Sequence, residues 1–260
     1  MKKTVSFIIG IALIIAVIAF VKVFYIGTYS TDGETLQQLK ILAESNSDAA
    51  KILKHYKRYP ESFIQLAVKN PETTDFVLGY PNRFLYKNDS LNESDINTER
   101  TVPLFMQWDK RWGYTQYNKN FMALSGCGPT SVSMVAVYLT GDITLSPKRI
   151  AEFSEENGYC VEGNGTSWTL MSDGCKKLGL NVEEVPLMKS LIFEKLDSGQ
   201  PIICHMGKGF FTTTGHYIVF TGAKDGLISV NDPNSIKNSE TLWDYDDIKD
   251  QIINMWAISR

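Results

Sequence analysis

Gly126-Cys127-Gly128-Pro129-Thr130-Ser131, running on through Val-Ser-Met-Val-Ala-Val-Tyr-Leu to Thr140, is the stretch on which the reading of this chain turns. Apolar residues recur at Val132, Val135, Ala136 and Leu139, the spacing of one face of a helix. Pro129 fits a first helical turn, where its missing N–H would have had no partner, and Gly141 fits the stop. The pattern predicts a helix that opens at Cys127. Unpaired backbone N–H groups and the positive dipole end at such a place favour a thiolate over a thiol. The flanking glycines are expected to keep side chains off the sulfur and to let a substrate backbone come close. A cysteine before a helix is equally a packing residue, so the reading depends on what lies elsewhere.

A cysteine nucleophile needs a base within hydrogen-bond reach, and the base needs a group that orients its ring. Downstream of Leu180 the chain reads as strands: Leu180–Val185, Pro201–Met206, His216–Gly222 and Leu227–Asn231, with a final strand at Met255–Ile258. Short helices are expected at Ser190–Leu196 and Asp246–Ile253. Lys224-Asp225-Gly226 between two strands is a hairpin signal. That hairpin would lay Asp232, in Asn231-Asp232-Pro233-Asn234, beside His216 at the start of the preceding strand. His205 competes for the role of base, but it sits in an apolar strand with no acid at hairpin distance. Gly163-Asn164-Gly165-Thr166-Ser167-Trp168 lacks the spacing and lysine of a phosphate-binding loop and reads as structure or a cleft wall. Helices first and antiparallel strands afterwards make an α+β domain.

GCGPTS, GHYIVFTG and NDPN, in that order, resemble the papain-like cysteine peptidases, in particular the C39_2-type group related to bacteriocin-leader peptidases. The resemblance spans roughly Val102 to Ser259. It implies a papain-like fold, a helical subdomain plus an antiparallel sheet with the site between them. It also implies Cys127 as nucleophile, His216 as base, Asp232 as orienting residue, and a peptide or protein substrate. Enzymes of that kind stabilise the oxyanion with the cysteine's own N–H and a glutamine commonly a few residues upstream. Here Phe121 stands six residues before Cys127, so Gln107, which opens the turn QWDKRWG, is the candidate, with Asn120 next. NPETTDFVLGYP, QWDKRWG and TSW look like membrane-anchored or secreted members from Gram-positive bacteria.

The chain's 260 residues, 43% hydrophobic and 12% aromatic, allow one sizeable core with appendages. A net charge of -3 gives no footprint for nucleic acid. The four cysteines form no C-x-x-C pair and the three histidines are scattered, so neither a metal nor any other cofactor is implied. A single bridge such as Cys160–Cys175 stays open. Met1-Lys2-Lys3 precedes an apolar run from Val5 to Ile26, interrupted only by Lys22, long enough to cross a bilayer. The basic flank places the N-terminus in the cytoplasm and the remainder outside, as an uncleaved signal anchor in the cytoplasmic membrane rather than a removed signal peptide.

The expected organisation is an anchor over 1–28, a helical arm and linker over 29–101, and a peptidase domain over 102–260. The arm carries an amphipathic helix over Leu36–Leu42, another over Ala49–Tyr56, and two short helices opening at Pro60-Glu61 and Asn70-Pro71-Glu72. Within it, residues 87–101 read as a linker or exposed loop whose aliphatic residues are Leu91 and Ile96. Two other functions stay open: an acyltransferase on the same fold, in which an amine replaces water, and a surface binding module without turnover.

Overall fold

A computed structural model describes residues 28–86, 90–96, 101–161 and 165–260. The expected anchor over Val5–Ile26 and the Gly163-Asn164 part of the glycine-rich loop lie outside the described residues. Among the described residues no helix is long and apolar enough to cross a membrane. The chain divides into two units, one ending at Pro81 and the other running Asn82–Arg260.

The first unit is helical: α1 (Gly33–Ala43), α2 (Ser47–Lys54), α3 (Glu61–Lys69) and α4 (Thr74–Gly79). Short polar side chains set the boundaries by taking up N–H groups that a helix start leaves unpaired. Asp32 accepts from Thr35 N, and Asn46 from Asp48 N and Ala49 N. Asn70 accepts from Glu72 N, with Pro71 opening a 3-10 turn before α4. Leu39, Ile52, Phe63 and Phe76 make the core, the two phenylalanines meeting edge to face at 5.4 Å. Within the amphipathic stretch Leu36–Leu42, Ile41 is 59% exposed, because α1 turns Thr35 and Leu39 inward.

The second unit contains α5 (Cys127–Thr140), α6 (Pro147–Glu156) and α7 (Lys189–Asp197). Its sheet comprises β1 (Asn181–Glu184), β2 (Ile202–Met206), β3 (His216–Lys224), β4 (Leu227–Asn231), β5 (Leu242–Asp244) and β6 (Ile252–Ser259). The strands lie in the order β1-β6-β2-β3-β4-β5, every neighbouring pair antiparallel. Alternate side chains of the sheet serve two cores. Ile203, Tyr217, Val219, Trp256 and Ile258 pack with α5, while Cys204, Met206, Ile218, Phe220 and Met255 pack with Ile192 and Leu196 of α7. Helices and antiparallel sheet together make the α+β architecture that the order of elements predicts. Leu91, and Ile96 beside it, pack on the first of these cores, and Arg111 holds Asp95 through two N–H donors at 2.8 and 3.1 Å.

The last helix expected near the C-terminus is shorter than Asp246–Ile253. Only Tyr245–Ile248 is α-helical, one 3-10 turn follows, and Ile252 already pairs with Met206. Apolar side chains at Ile252, Met255 and Trp256 fit a helix face and a strand alike. The place of β6 between β1 and β2 decides for the strand, since a buried strand must pair both its edges.

Helix α5 starts at Cys127 and stops at Gly141, whose φ of 73° closes the C-terminus in the left-handed conformation. It is not a one-faced helix, however. Every residue from Gly128 to Val137 is buried, including Thr130, Ser131 and Ser133. α6 covers one side, the sheet another, and the chain around Leu170 a third, so the helix is enclosed as central helices are. Ser133 meets the Leu145 carbonyl at 2.6 Å.

Candidate active site

Cys127 lies half-buried at the N-terminus of α5, and the sulfur faces three donors. His216 bonds to it from β3, and the backbone N–H groups of Tyr217 and Gly128 point at it. Burial alone would push the thiol up. The hydrogen bond and charge of His216, with the two N–H groups, outweigh burial and bring it below the ordinary thiol value.

His216 is 7% exposed, and its Nε2 lies 2.7 Å from Oδ1 of Asp232, which is fully buried. With Nε2 engaged, Nδ1 is the nitrogen left to face the sulfur. Burial works against an imidazolium here, but the Asp232 carboxylate and the Cys127 sulfur overcome it, so the ring holds its proton well above the usual histidine range. Asp232 is kept ionised in turn. Burial disfavours its charge, yet His216, the Asn238 side chain at 2.8 Å and the Asn234 N–H at 2.8 Å hold it below the usual carboxylate range. The geometry is a chain of donors and acceptors ending on a sulfur.

The expected hairpin forms, with Asp225 and Gly226 at φ of 54° and 83° in the turn. Its register does not set Asp232 opposite His216. A bulge between Phe220 and Gly222 shifts the pairing so that Val219 meets Asn231. Continuing that register puts Ile218 opposite Asp232, and the acid reaches His216 on the diagonal. A tight turn then fixes it. Asp232 bridges to Ser235, Asn234 N–H caps its Oδ1, and its own N–H donates to Ser239 Oγ at 2.9 Å. Asn238 and Ser239 carry no sequence signal for this role, because they reach the carboxylate and the backbone of Asp232 respectively only through the short helix Ile236–Glu240.

The two glycines beside Cys127 have a packing reason. A Cβ at Gly126 would fall 2.5 Å from the Met122 carbonyl, and one at Gly128 would fall 2.5 Å from Thr166 Oγ1. Thr166 cannot swing away freely, since its Oγ1 is bonded at 2.8 Å by Tyr117 Oη, which is itself held by Ser154 Oγ at 2.9 Å. The loop that carries Thr166 is held from outside as well. Asn118 donates to the carbonyls of Val161 and Gly165 at 2.7 and 3.1 Å.

Gln107 lies in the turn QWDKRWG, which is clasped to the Asp232 turn. Gln107 N donates to the Pro233 carbonyl at 2.7 Å, and Trp108 Nε1 to the Asn234 carbonyl at 3.1 Å. The Gln107 side chain is 4% exposed and its amide nitrogen donates to the Ala123 carbonyl at 2.8 Å, four residues before Cys127. Its Oε1 is buried with no partner among the described residues. Gln107 does not line the open cleft at the sulfur, whereas Asn120 does. That cleft, about 740 Å³, is lined by Ser125 and Cys127, by Thr166–Trp168, and by His205 with Thr214–Tyr217.

His205 is in the cleft but not on the sulfur. Its Nδ1 accepts from Trp168 Nε1 at 2.8 Å, and its ring stacks on Tyr217 at 4.8 Å. All four thiols are unpaired, and the Cys160–Cys175 bridge left open above is not formed. Cys175 and Cys204 are fully buried, and burial pushes the Cys175 thiol up to about 12. No cluster of His, Cys, Asp or Glu that could hold a metal occurs among the described residues.

Residues 99–260 match the model of the Peptidase_C39 like family. Among solved structures, the peptidase domain of Streptococcus ComA, a bi-functional ABC transporter involved in a quorum-sensing pathway, is 21% identical. It covers 52% of this chain and 91% of its own, with a TM-score of 0.42. A C39-like peptidase from Bacillus anthracis, described as putative, is 14% identical over 62% of this chain and 96% of its own, with a TM-score of 0.43. No curated protein matches.

Proposed function

Since the chain belongs to the Peptidase_C39 like family, we propose that it is a cysteine peptidase in which Cys127, His216 and Asp232 perform the chemistry. One observation carries this reading: a sulfur at a helix N-terminus, an imidazole bonded to it, and a buried carboxylate at 2.7 Å behind that imidazole. The Cys127 thiolate attacks the peptide carbonyl carbon. The imidazolium gives its proton to the leaving amine as the C–N bond breaks and a thioester remains. Water, deprotonated by the now neutral His216, then attacks the thioester, and the carboxylic acid leaves as the thiolate returns. Asp232 holds the ring and stabilises its charge throughout.

Product analysis tests the reaction class. A peptide library should yield new carboxyl termini with oxygen from solvent, and these should persist when a primary amine is added. Products carrying the added amine throughout would make the protein an acyltransferase instead.

Negative charge on the attacked carbonyl oxygen falls to two donors in this proposal. One is the Cys127 N–H, left unpaired at the helix start. For the other the candidates are the Gln107 amide, which is buried with one N–H on the Ala123 carbonyl and would have to turn its second toward the cleft, and Asn120, which lines it. Gln107→Ala should lower turnover by about 10² to 10³ while alkylation of Cys127 proceeds at its normal rate, because the loss falls on transition-state charge. Unchanged turnover would remove Gln107 from the site and turn attention to Asn120. Equal losses in turnover and alkylation would make it a brace for the Ala123 turn.

The apolar run Val5–Ile26 and the lysines before it support a membrane tether of the Gram-positive kind, with the peptidase outside the cytoplasm. Protease added to intact protoplasts should then digest residues beyond about Asp32. A fully protected C-terminal domain would reverse the orientation.

A further inference from the structure

His205 is the cleft histidine that the catalytic chain leaves unused. An indole N–H can only donate, so the bond from Trp168 Nε1 requires a bare lone pair on His205 Nδ1. A neutral imidazole with no proton on Nδ1 carries its proton on Nε2. The ring is fixed in this state from several sides. Trp168 meets it edge-on at 5.7 Å and is itself braced by Trp256 at 5.9 Å, while Tyr217 stacks beneath. Burial and the positive charge of His216 both push His205 below its ordinary value, which agrees with a neutral ring.

The Nε2 edge borders Gly215, where a Cβ would come within 3.1 Å of it. Gly215, Trp168 and His205 all line the cleft, and the side-chain hydrogen bond that His205 makes among the described residues is through Nδ1, leaving Nε2 for a ligand. A donor of set direction therefore borders the cleft beside Gly215, on the strand residue paired with Tyr217, whose N–H faces the sulfur.

We propose that His205 is a substrate-binding residue of this cleft, donating its Nε2–H to a backbone carbonyl oxygen of the bound peptide and so setting which bond lies over Cys127. The inference rests on Cys127 being the nucleophile, and the test separates the two. Two alkylating probes are compared: iodoacetamide, which carries no peptide chain, and a pool of tripeptidyl chloromethyl ketones. In the wild type the peptidyl pool should inactivate with saturation. His205→Phe keeps a ring on Tyr217 but has no donor. It should raise the half-saturating peptidyl concentration about tenfold, the size of one lost hydrogen bond, with the limiting rate and the iodoacetamide rate unchanged. His205→Gln, whose Nε2 falls near that of the imidazole, should recover most of the loss.

An unaltered half-saturation in His205→Phe overturns the proposal, as does a Gln variant no better than Phe. Absence of saturation in the wild type also overturns it. Iodoacetamide that does not select Cys127 in the wild type overturns the nucleophile reading instead.

Discussion

Cys127→Ala should abolish peptide hydrolysis, with a loss on the order of 10⁶-fold, as when the nucleophile of a coupled triad is removed. The fold should survive. Alanine is smaller than cysteine, introduces no unpaired polar group, and is a good helix residue at the first position of α5. The urea midpoint should therefore change little, which separates lost chemistry from lost structure. A Cys127→Ala protein that still releases peptide termini would assign the activity elsewhere and end the peptidase reading of this cleft. Cys175 and Cys204 are poor substitutes, because both are fully buried and burial raises their thiols.

The second large effect concerns the charge pair. The Cys127 thiol is held below its ordinary value and the His216 imidazole above, so each charge favours the other and the thiolate–imidazolium pair is stabilised. As pH rises, alkylation of Cys127 should begin well below the value near 8.5 of a free cysteine. In His216→Ala the bond and charge that overcame burial are gone. Burial then faces only the N–H groups of Tyr217 and Gly128, and the alkylation curve should move up past that of a free thiol.

Asp232→Asn should move the curve in the same direction by less. The Asp232 charge is the foremost support of the imidazolium, so its loss weakens the cation that supports the thiolate. Turnover should fall by up to about 10⁴-fold. The neutral amide can keep its oxygen toward His216 and Asn234, provided Asn238 turns its own amide over to accept from it. The pair also links stability to pH. His216 stabilises the fold below its unfolded value and loses that as pH rises through the raised one. Asp232 stabilises above its unfolded value and loses that as pH falls through the lowered one. A Cys127 that titrates like a free thiol and ignores both substitutions would leave a binding module.

Much of this arrangement was legible in the chain itself, and the legible parts share a cause. The opening of α5 at Cys127, its end at Gly141, the cap at Asn70, and the Asp225-Gly226 turn rest on local rules of φ and unpaired N–H groups. Such rules act over a few residues, so a sequence determines them without knowledge of the rest of the fold. Strand identity for β2, β3 and β4, and the order Cys, His, Asp, were equally local. Tertiary structure decided what depends on neighbours distant in sequence. Enclosure by α6 and the sheet buries α5 on all sides from Gly128 to Val137, so Thr130, Ser131 and Ser133 are interior despite their polarity. The bulge in β3 moves Asp232 to the diagonal of His216, a one-residue slip that alternation alone cannot reveal. Asn118 and Tyr117 hold the Thr166 loop against Gly128, and Trp168 sets the proton of His205 across 37 residues of chain. These contacts exist only when separate segments pack, because a side chain's partner, burial and charge state are properties of the space around it rather than of its place in the chain.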